Sequence, residues 1–222
     1  MPDIQIPSLD GAKFNAYAAL PKGGNGPGVL VVHEAAGISV PVCILCDKLA
    51  GHGYMAVYPD LTWRQASGAR MPQDPATFDS DAGLRDLLAT LAFMRHMPGC
   101  SSKVGVLGYG LGGRLAFLMA ARSDIDCAVS YYGLGIEPYL EEMEDITAPF
   151  LLHLAERDST VSKAEQEKIR AAAEHNAKIA VHSYAEAAHA FAIPENPNFN
   201  QAAATEAETR TLAFLSKHLS GS

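Results

Sequence analysis

The segment Val104–Phe117 constrains the fold of this chain more than any other. Its residues, VGVLGYGLGGRLAF, form the pattern of a short apolar strand, a glycine-dense turn and an amphipathic helix. A sharp strand-to-helix turn flanked by small residues is typical of the elbow that holds a catalytic nucleophile. Gly108 and Gly112 are the outer small residues of that frame. Gly110 occupies the nucleophile position and brings no side chain, so the segment predicts a nucleophile elbow without the atom that attacks.

Short apolar strands alternate with helical segments along the chain. We predict strands over 4–6, 14–19, 28–33, 54–58, 104–108, 127–132, 150–154 and 179–184, and helices over 41–52, 79–97, 113–122, 162–175 and 202–218. This alternation predicts an α/β fold with a mainly parallel central sheet flanked by helices. The 222 residues contain no internal repeat or long linker, so we expect a single domain over residues 1–222.

Composition narrows the class of partner. The formal charge is −8 at pH 7, which argues against nucleic acid or an anionic membrane surface as the main partner. The first residues, MPDIQIPSLDGAKF, lack a basic stretch followed by an apolar one, so we expect no signal peptide. No run approaches the ~18 apolar residues of a membrane span. Its four cysteines do not form the pattern of a disulfide framework. We therefore expect a cytoplasmic protein, a monomer or small homo-oligomer, that acts on a small molecule.

Cys43 and Cys46 form a C-x-x-C pattern, which in other settings indicates a redox pair or half of a zinc site. They lie in the apolar segment VCILCDKLA, and no second ligand pair has zinc-finger spacing. Core packing within a helix is the better interpretation.

Asp158 and His189 each follow a predicted strand. In parallel sheets the active site lies at the carboxyl ends of the strands, so residues that follow a strand are the candidates for chemistry. A histidine can take the proton of a nucleophile, and an aspartate can hold that imidazole in the correct tautomer. The order nucleophile position, Asp, His is the order found in α/β-hydrolases. We therefore predict a catalytic site formed by Gly110, Asp158 and His189.

Glu34 follows the apolar strand GVLVVH directly and is the fourth catalytic candidate. A carboxylate at that strand end would lie beside the predicted elbow. The backbone N–H of Ala35 and that of Leu111, which follows the nucleophile position, are the candidate oxyanion-hole donors.

Together these segments resemble the dienelactone hydrolase family, which are cysteine-dependent α/β-hydrolases. The matching segments run in order from about residue 28 to the end: HEAAGI, GYMAVYPDL, KVGVLGYGLGGRLAF, AVSYYGLGIE, HLAERDSTV, YAEAAHAF and ETRTLAFL. Family members typically carry G-x-C-x-G-G at the elbow. The resemblance implies an α/β-hydrolase fold, hydrolysis of a small ester or lactone, and no metal or organic cofactor. It also implies that Gly110 stands where the cysteine belongs, that Asp158 and His189 complete the triad, and that Glu34 is the partner of the thiol.

Two positions depart from the family pattern. Gly110 cannot attack a carbonyl, so covalent hydrolase activity is expected to be impaired or absent. Ile193 stands near the place where dienelactone hydrolases carry an arginine that grips the substrate carboxylate. Arg64 and Arg70 are candidate replacements in substrate binding, and surface positions are the alternative interpretation for both.

Several interpretations of Gly110 remain open at this level. The chain is an inactivated hydrolase, a non-covalent hydrolase in which His189 activates water, or a non-catalytic protein that keeps the pocket to bind a ligand. Gly110 also completes the dinucleotide-binding pattern G-x-G-x-x-G over residues 108–113. Against nucleotide binding, the next strand ends without an acidic residue, the motif lies near mid-chain, and Asp158 and His189 would have no explanation.

Overall fold

A mainly parallel sheet forms the centre of the molecule. The computed structural model describes residues 3–33, 37–64 and 77–220, and within them the sheet has eight strands. They are β1 (Asp3–Pro7), β2 (Lys13–Ala19), β3 (Gly26–Val32), β4 (Met55–Pro59), β5 (Cys100–Tyr109), β6 (Cys127–Tyr131), β7 (Phe150–Ala155) and β8 (Ile179–Tyr184). Their order across the sheet is β1-β2-β4-β3-β5-β6-β7-β8. Strand β2 runs antiparallel to both β1 and β4, and the remaining neighbours are parallel.

Helices cover both faces of this sheet. They are α1 (Val40–Gly51), α2 (Ser80–Arg95), α3 (Leu111–Arg122), α4 (Lys163–Glu174) and α5 (Gln201–Leu219). Helices α1 and α5 pack on one face, around Val29, Leu107 and Val129. Helices α2, α3 and α4 pack on the other face, around Leu30 and Val106. Since the central strands are buried on both sides, their residues are continuously apolar, as parallel sheets require.

Local signals fix the ends of several helices. The Asp79 carboxylate accepts a hydrogen bond from the Ala82 N–H at the start of α2. Ser162 and Glu165 form a reciprocal capping box at the start of α4. These side chains satisfy backbone donors that the first turn of a helix leaves without partners. Helix α3 differs because Gly110 precedes it and supplies no capping side chain.

The α/β fold predicted from the sequence is confirmed, and the element bounds differ at their ends. Strand β5 begins at Cys100, four residues before the predicted start, because its polar first residues extend the pairing with β3 as far as Gly26. A 3-10 segment over Glu137–Asp145 was not predicted, since its acidic sequence lacks a clear apolar period. In the described parts of the chain, no helix is both long and apolar enough to span a membrane.

The Cys43 and Cys46 side chains are buried in α1, within the core that this helix shares with α5. Burial raises the pKa of the Cys46 thiol, which keeps it protonated. All four cysteines lie among the described residues, and none forms a disulfide. The geometry agrees with the core-packing interpretation of the C-x-x-C pattern.

His153 is a fully buried imidazole on β7. Its Nδ1 lies 2.9 Å from the Tyr184 hydroxyl, and its Nε2 lies 3.0 Å from Thr211 Oγ1. Burial is the main cause that lowers the pKa of His153 to about 3, with smaller contributions from His182 and Arg210. The folded protein therefore holds this ring neutral at physiological pH.

Replacing His153 with glutamine is expected to reduce the loss of folding stability that occurs as the pH falls from neutral to acid. Between the ordinary histidine pKa of 6.5 and about 3, the unfolded chain binds a proton that the folded chain does not, so stability falls as the pH falls. This difference amounts to about 2 kcal/mol at about pH 5. Urea denaturation of both proteins at neutral pH and near pH 5 measures it. An identical pH dependence in His153→Gln would contradict the neutral assignment.

Candidate active site

The elbow between β5 and α3 is built around the Gly110 backbone. Gly110 has φ 57° and ψ −119°, a conformation that residues with a side chain rarely adopt. Its N–H donates to the Tyr131 carbonyl at 3.0 Å, and its carbonyl accepts from the Gly113 and Leu134 N–H groups. These hydrogen bonds tie the turn to β6 and to the loop after it. The backbone therefore has the strained strand-to-helix turn of a nucleophile elbow.

The glycines that flank the elbow are required by close packing. A Cβ on Gly108 would lie 2.0 Å from the Gly112 carbonyl oxygen, and a Cβ on Gly112 would lie 2.2 Å from the Val32 carbonyl oxygen. These positions pack the turn against its own helix and against β3. Of the pattern G-x-G-x-x-G, Gly110 is set by its backbone conformation, and a Cβ on Gly113 would lie 2.7 Å from Ser130 Oγ. The packing and backbone of the elbow therefore explain Gly108, Gly110 and Gly113 without a bound nucleotide.

Replacing Gly110 with alanine is expected to lower the free energy of unfolding by about 1–3 kcal/mol, because any Cβ is strained at this φ and ψ. Gly51 is the matched control. It ends α1, and a Cβ there would meet nothing within 4 Å. Gly51→Ala is expected to change stability by less than about 1 kcal/mol. Denaturant unfolding of the two variants checks the difference, and equal effects would argue against strain at the elbow.

Asp158 and His189 form a hydrogen-bonded pair after β7 and β8. Asp158 Oδ2 lies 2.8 Å from His189 Nδ1, and Asp158 Oδ1 accepts hydrogen bonds from the Thr160 and Val161 N–H groups. The Asp158 side chain is 1% exposed and that of His189 is 14% exposed. The carboxylate is therefore fixed from both sides, and the imidazole Nε2 is left as the nitrogen available for proton transfer.

Tyr132 connects this pair to the elbow. Its ring centroid lies 5.0 Å from that of His189 and 6.2 Å from that of Tyr109, which precedes Gly110. Tyr132 is buried and has a positive φ of 39°, which is uncommon for an aromatic residue. The sequence prediction did not select Tyr132, and its only signal was its place at the end of a strand.

Asn198 is a second residue that the sequence prediction did not select. Its side-chain amide donates to the His189 backbone carbonyl at 3.0 Å, which ties the histidine loop to the segment before α5. The sequence offers no signal for this contact, because an asparagine in a polar loop is common.

Three of the predicted site residues lie outside the residues that the structure describes. They are Glu34, Ala35 and Arg70. Leu111, the other predicted oxyanion donor, is the first residue of α3, where backbone N–H groups have no partner within the helix. Its side chain is buried in the core on the α3 face of the sheet.

Arg64 is held by the fold. Its guanidinium pairs with Asp86 at 3.0 Å and with Asp10 at 2.6 Å, and it stacks over the Trp63 ring at 4.1 Å from the centroid. These contacts balance the charge of Arg64 with two carboxylates and give the side chain a structural role. Ile193 contacts the core beside α1 and α5, and its side chain lines a cavity on that face of the sheet.

An eight-stranded α/β sheet with a glycine-packed elbow and an Asp–His pair at neighbouring strand ends defines an α/β-hydrolase fold. Residues 14–219 match the dienelactone hydrolase family, and the chain belongs to that family.

Named relatives agree with this assignment along nearly the whole chain. A protein of Azospirillum brasilense named "Putative carboxymethylenebutenolidase" is 38% identical over 99% of this chain and 100% of its own. The carboxymethylenebutenolidase of Pseudomonas putida is 36% identical over 96% of this chain and 94% of its own. A Klebsiella pneumoniae crystal structure named "Putative Dienelactone Hydrolase" superposes with a TM-score of 0.86, at 28% identity over 97% of each chain.

Proposed function

We propose that the Asp158–His189 pair is the base of a hydrolytic site for small esters or lactones. We further propose that this site cannot form an acyl-enzyme, because Gly110 has no nucleophilic side chain. The observation that carries the proposal is the 2.8 Å hydrogen bond between Asp158 and His189 Nδ1, in a chain of the dienelactone hydrolase family. A histidine held in this way through Nδ1 accepts protons at Nε2.

The remaining roles are assigned from position in the chain and from the family resemblance. The Leu111 N–H at the start of α3 is a donor for the oxyanion, because the first N–H groups of a helix point toward bound negative charge. The Ala35 N–H is the second proposed donor, and Glu34 is the proposed partner of a thiol at the elbow. The role of Ala35 is proposed from its place in the sequence just after the run GVLVVH, and the role of Glu34 rests on the family resemblance.

Without a nucleophile, the site keeps two of its catalytic contributions. An oxyanion hole and substrate binding by themselves retain a residual acceleration of about 10³–10⁴ over water in enzymes that have lost their catalytic triad. His189 can also activate a water molecule directly. We therefore expect slow hydrolysis without an acyl-enzyme intermediate.

Mass spectrometry after incubation with nitrophenyl acetate tests the proposal. The chain as it stands is expected to show no acyl adduct at residue 110, whereas Gly110→Cys is expected to show an acetyl adduct there. Rapid acylation of the unaltered chain at another residue would overturn the assignment of the elbow. If Gly110→Cys neither forms the adduct nor hydrolyses the ester, the site is not hydrolytic and the proposal fails.

A further inference from the structure

A cavity lies between α1 and α5, on the face of the sheet that these two helices cover. Its volume is about 380 Å³, and the segment over residues 192–199 closes one side. The described residues that line this α1–α5 cavity do not include Gly110, Asp158 or His189. Small-molecule sites span about 300–1,000 Å³, and an engineered apolar cavity of about 150 Å³ is enough for benzene. The space therefore suits a compact organic molecule.

The walls of the α1–α5 cavity are apolar on the helix side and aromatic on the sheet side. The aliphatic side chains of the helix side include Leu45, Leu49, Ala204 and Leu212. On the sheet side, the Tyr109 ring lies 4.7 Å from the Tyr131 ring and 5.6 Å from the His33 ring. A row of aromatic rings favours a flat aromatic occupant, which stacks offset or edge-on against such rings.

A hydrogen-bond chain that is buried from Tyr184 onward ends at this cavity. It runs from Arg210 through Tyr184, His153 and Thr211 to Tyr131, with successive donor–acceptor distances of 3.1, 2.9, 3.0 and 2.7 Å. Arg210 can only donate, so the Tyr184 hydroxyl accepts from Arg210 and donates to His153 Nδ1. His153 then donates from Nε2 to the Thr211 hydroxyl, which donates to Tyr131. In this order each of the Tyr184 and Thr211 hydroxyls accepts one hydrogen bond and donates one. In that order the Tyr131 proton is left for an acceptor in the cavity, which Tyr131 lines together with Thr211.

Charges near the cavity select against an anion. Lys48 forms an ion pair with Glu208, and both residues line the cavity. Glu195 also lines it and adds a further carboxylate. Because the three side chains sum to one negative charge, a ligand carboxylate would meet net repulsion.

We propose that the α1–α5 cavity binds a neutral, flat aromatic molecule that carries one carbonyl oxygen, which accepts a hydrogen bond from Tyr131. This site goes beyond the proposed hydrolytic function and does not depend on it.

Three matched probes test the chemistry of the site by calorimetric titration. They are a naphthyl methyl ketone, the ethylnaphthalene that replaces its carbonyl with a methylene, and naphthoate. We expect the ketone and the hydrocarbon to bind, and naphthoate to bind at least about tenfold more weakly than the ketone. Tighter binding of naphthoate than of the ketone, or no binding of the ketone, would overturn the proposal.

Variants locate the probe. Ala204 lines the cavity and Ala202 is exposed on the same helix, so Ala204→Leu is expected to weaken ketone binding at least about tenfold while Ala202→Leu leaves it unchanged. Circular dichroism confirms that both variants fold. His189→Ala is expected to keep ketone binding. Loss in His189→Ala with retention in Ala204→Leu would place the ligand in the hydrolytic site and refute the proposal.

The double variant Tyr131→Phe with Thr211→Val removes both hydroxyls at the end of the hydrogen-bond chain. We expect ketone affinity to fall about three- to tenfold, the worth of one buried hydrogen bond. Binding of the hydrocarbon is expected to persist, which shows that the cavity is intact. An equal loss for the two probes, or no loss for the ketone, would contradict the role assigned to Tyr131.

Discussion

Replacing Gly110 with cysteine is expected to raise the rate of hydrolysis of small activated esters at least about 10³-fold, because the site then gains the nucleophile that His189 is placed to activate. A thiol at this position would attack the ester carbonyl, and the Leu111 N–H would donate to the oxyanion that forms. The gain is expected in kcat, since a covalent route replaces direct attack by water. Initial-rate kinetics on nitrophenyl esters and on dienelactone measure it.

Gly110→Ala is the matched control for this experiment. It introduces the same Cβ at the strained backbone position without the sulfur, and is expected to remain as slow as the unaltered chain. The four other cysteines are present in both variants, so activity in Gly110→Cys alone belongs to residue 110. Equal activity in the alanine and cysteine variants would show that the thiol is not used and that the elbow does not serve covalent catalysis.

Replacing Asp158 with asparagine in the Gly110→Cys background is expected to lower kcat about 10³–10⁴-fold, as losing the orienting carboxylate does in other triads. The asparagine oxygen can keep the hydrogen bonds from the Thr160 and Val161 N–H groups. Its amide nitrogen then faces His189 Nδ1 and donates to it. This contact places the imidazole proton on Nε2, where a base must have a free lone pair.

Asp126→Asn is the control for a general effect of removing an aspartate. Asp126 also accepts a backbone hydrogen bond, from the N–H of Val104 at 2.8 Å, midway along β5 and six residues before Gly110. Its replacement is expected to change kcat by less than about twofold, within the usual small effects of changes remote from a site. A loss below tenfold in Asp158→Asn, measured in parallel, would contradict the orienting role of Asp158.

The elements that the sequence predicted correctly share one property, a local pattern. The continuous apolar run before His33 predicted a central buried strand, and β3 lies between β4 and β5. The glycine-dense stretch after Val104 predicted the elbow, since so sharp a strand-to-helix turn tolerates little side-chain bulk. The order of Gly110, Asp158 and His189 along the chain predicts a catalytic site, which stays a prediction, and the structure places Asp158 and His189 within hydrogen-bond distance of each other.

The features that the sequence did not reveal depend on contacts between distant segments. Arg64 forms ion pairs with Asp10 and Asp86, which come from separate parts of the chain and which the sequence did not indicate. Tyr132 packs on His189 across 57 positions of sequence. Spacing along the chain does not predict such contacts, because the pairing of strands decides which side chains meet.

The sequence by itself determined the fold class, the elbow backbone and the absence of a nucleophile at residue 110, since periodicity and glycine placement act over a few neighbouring residues. Only the tertiary structure decided which partners the individual polar groups bind. The parallel pairing of β6, β7 and β8 and the packing of α5 bring Tyr131, His153 and Thr211 into one buried chain beside a cavity. Burial then requires each polar atom to find a partner, and those partners come from whichever segments the sheet brings together.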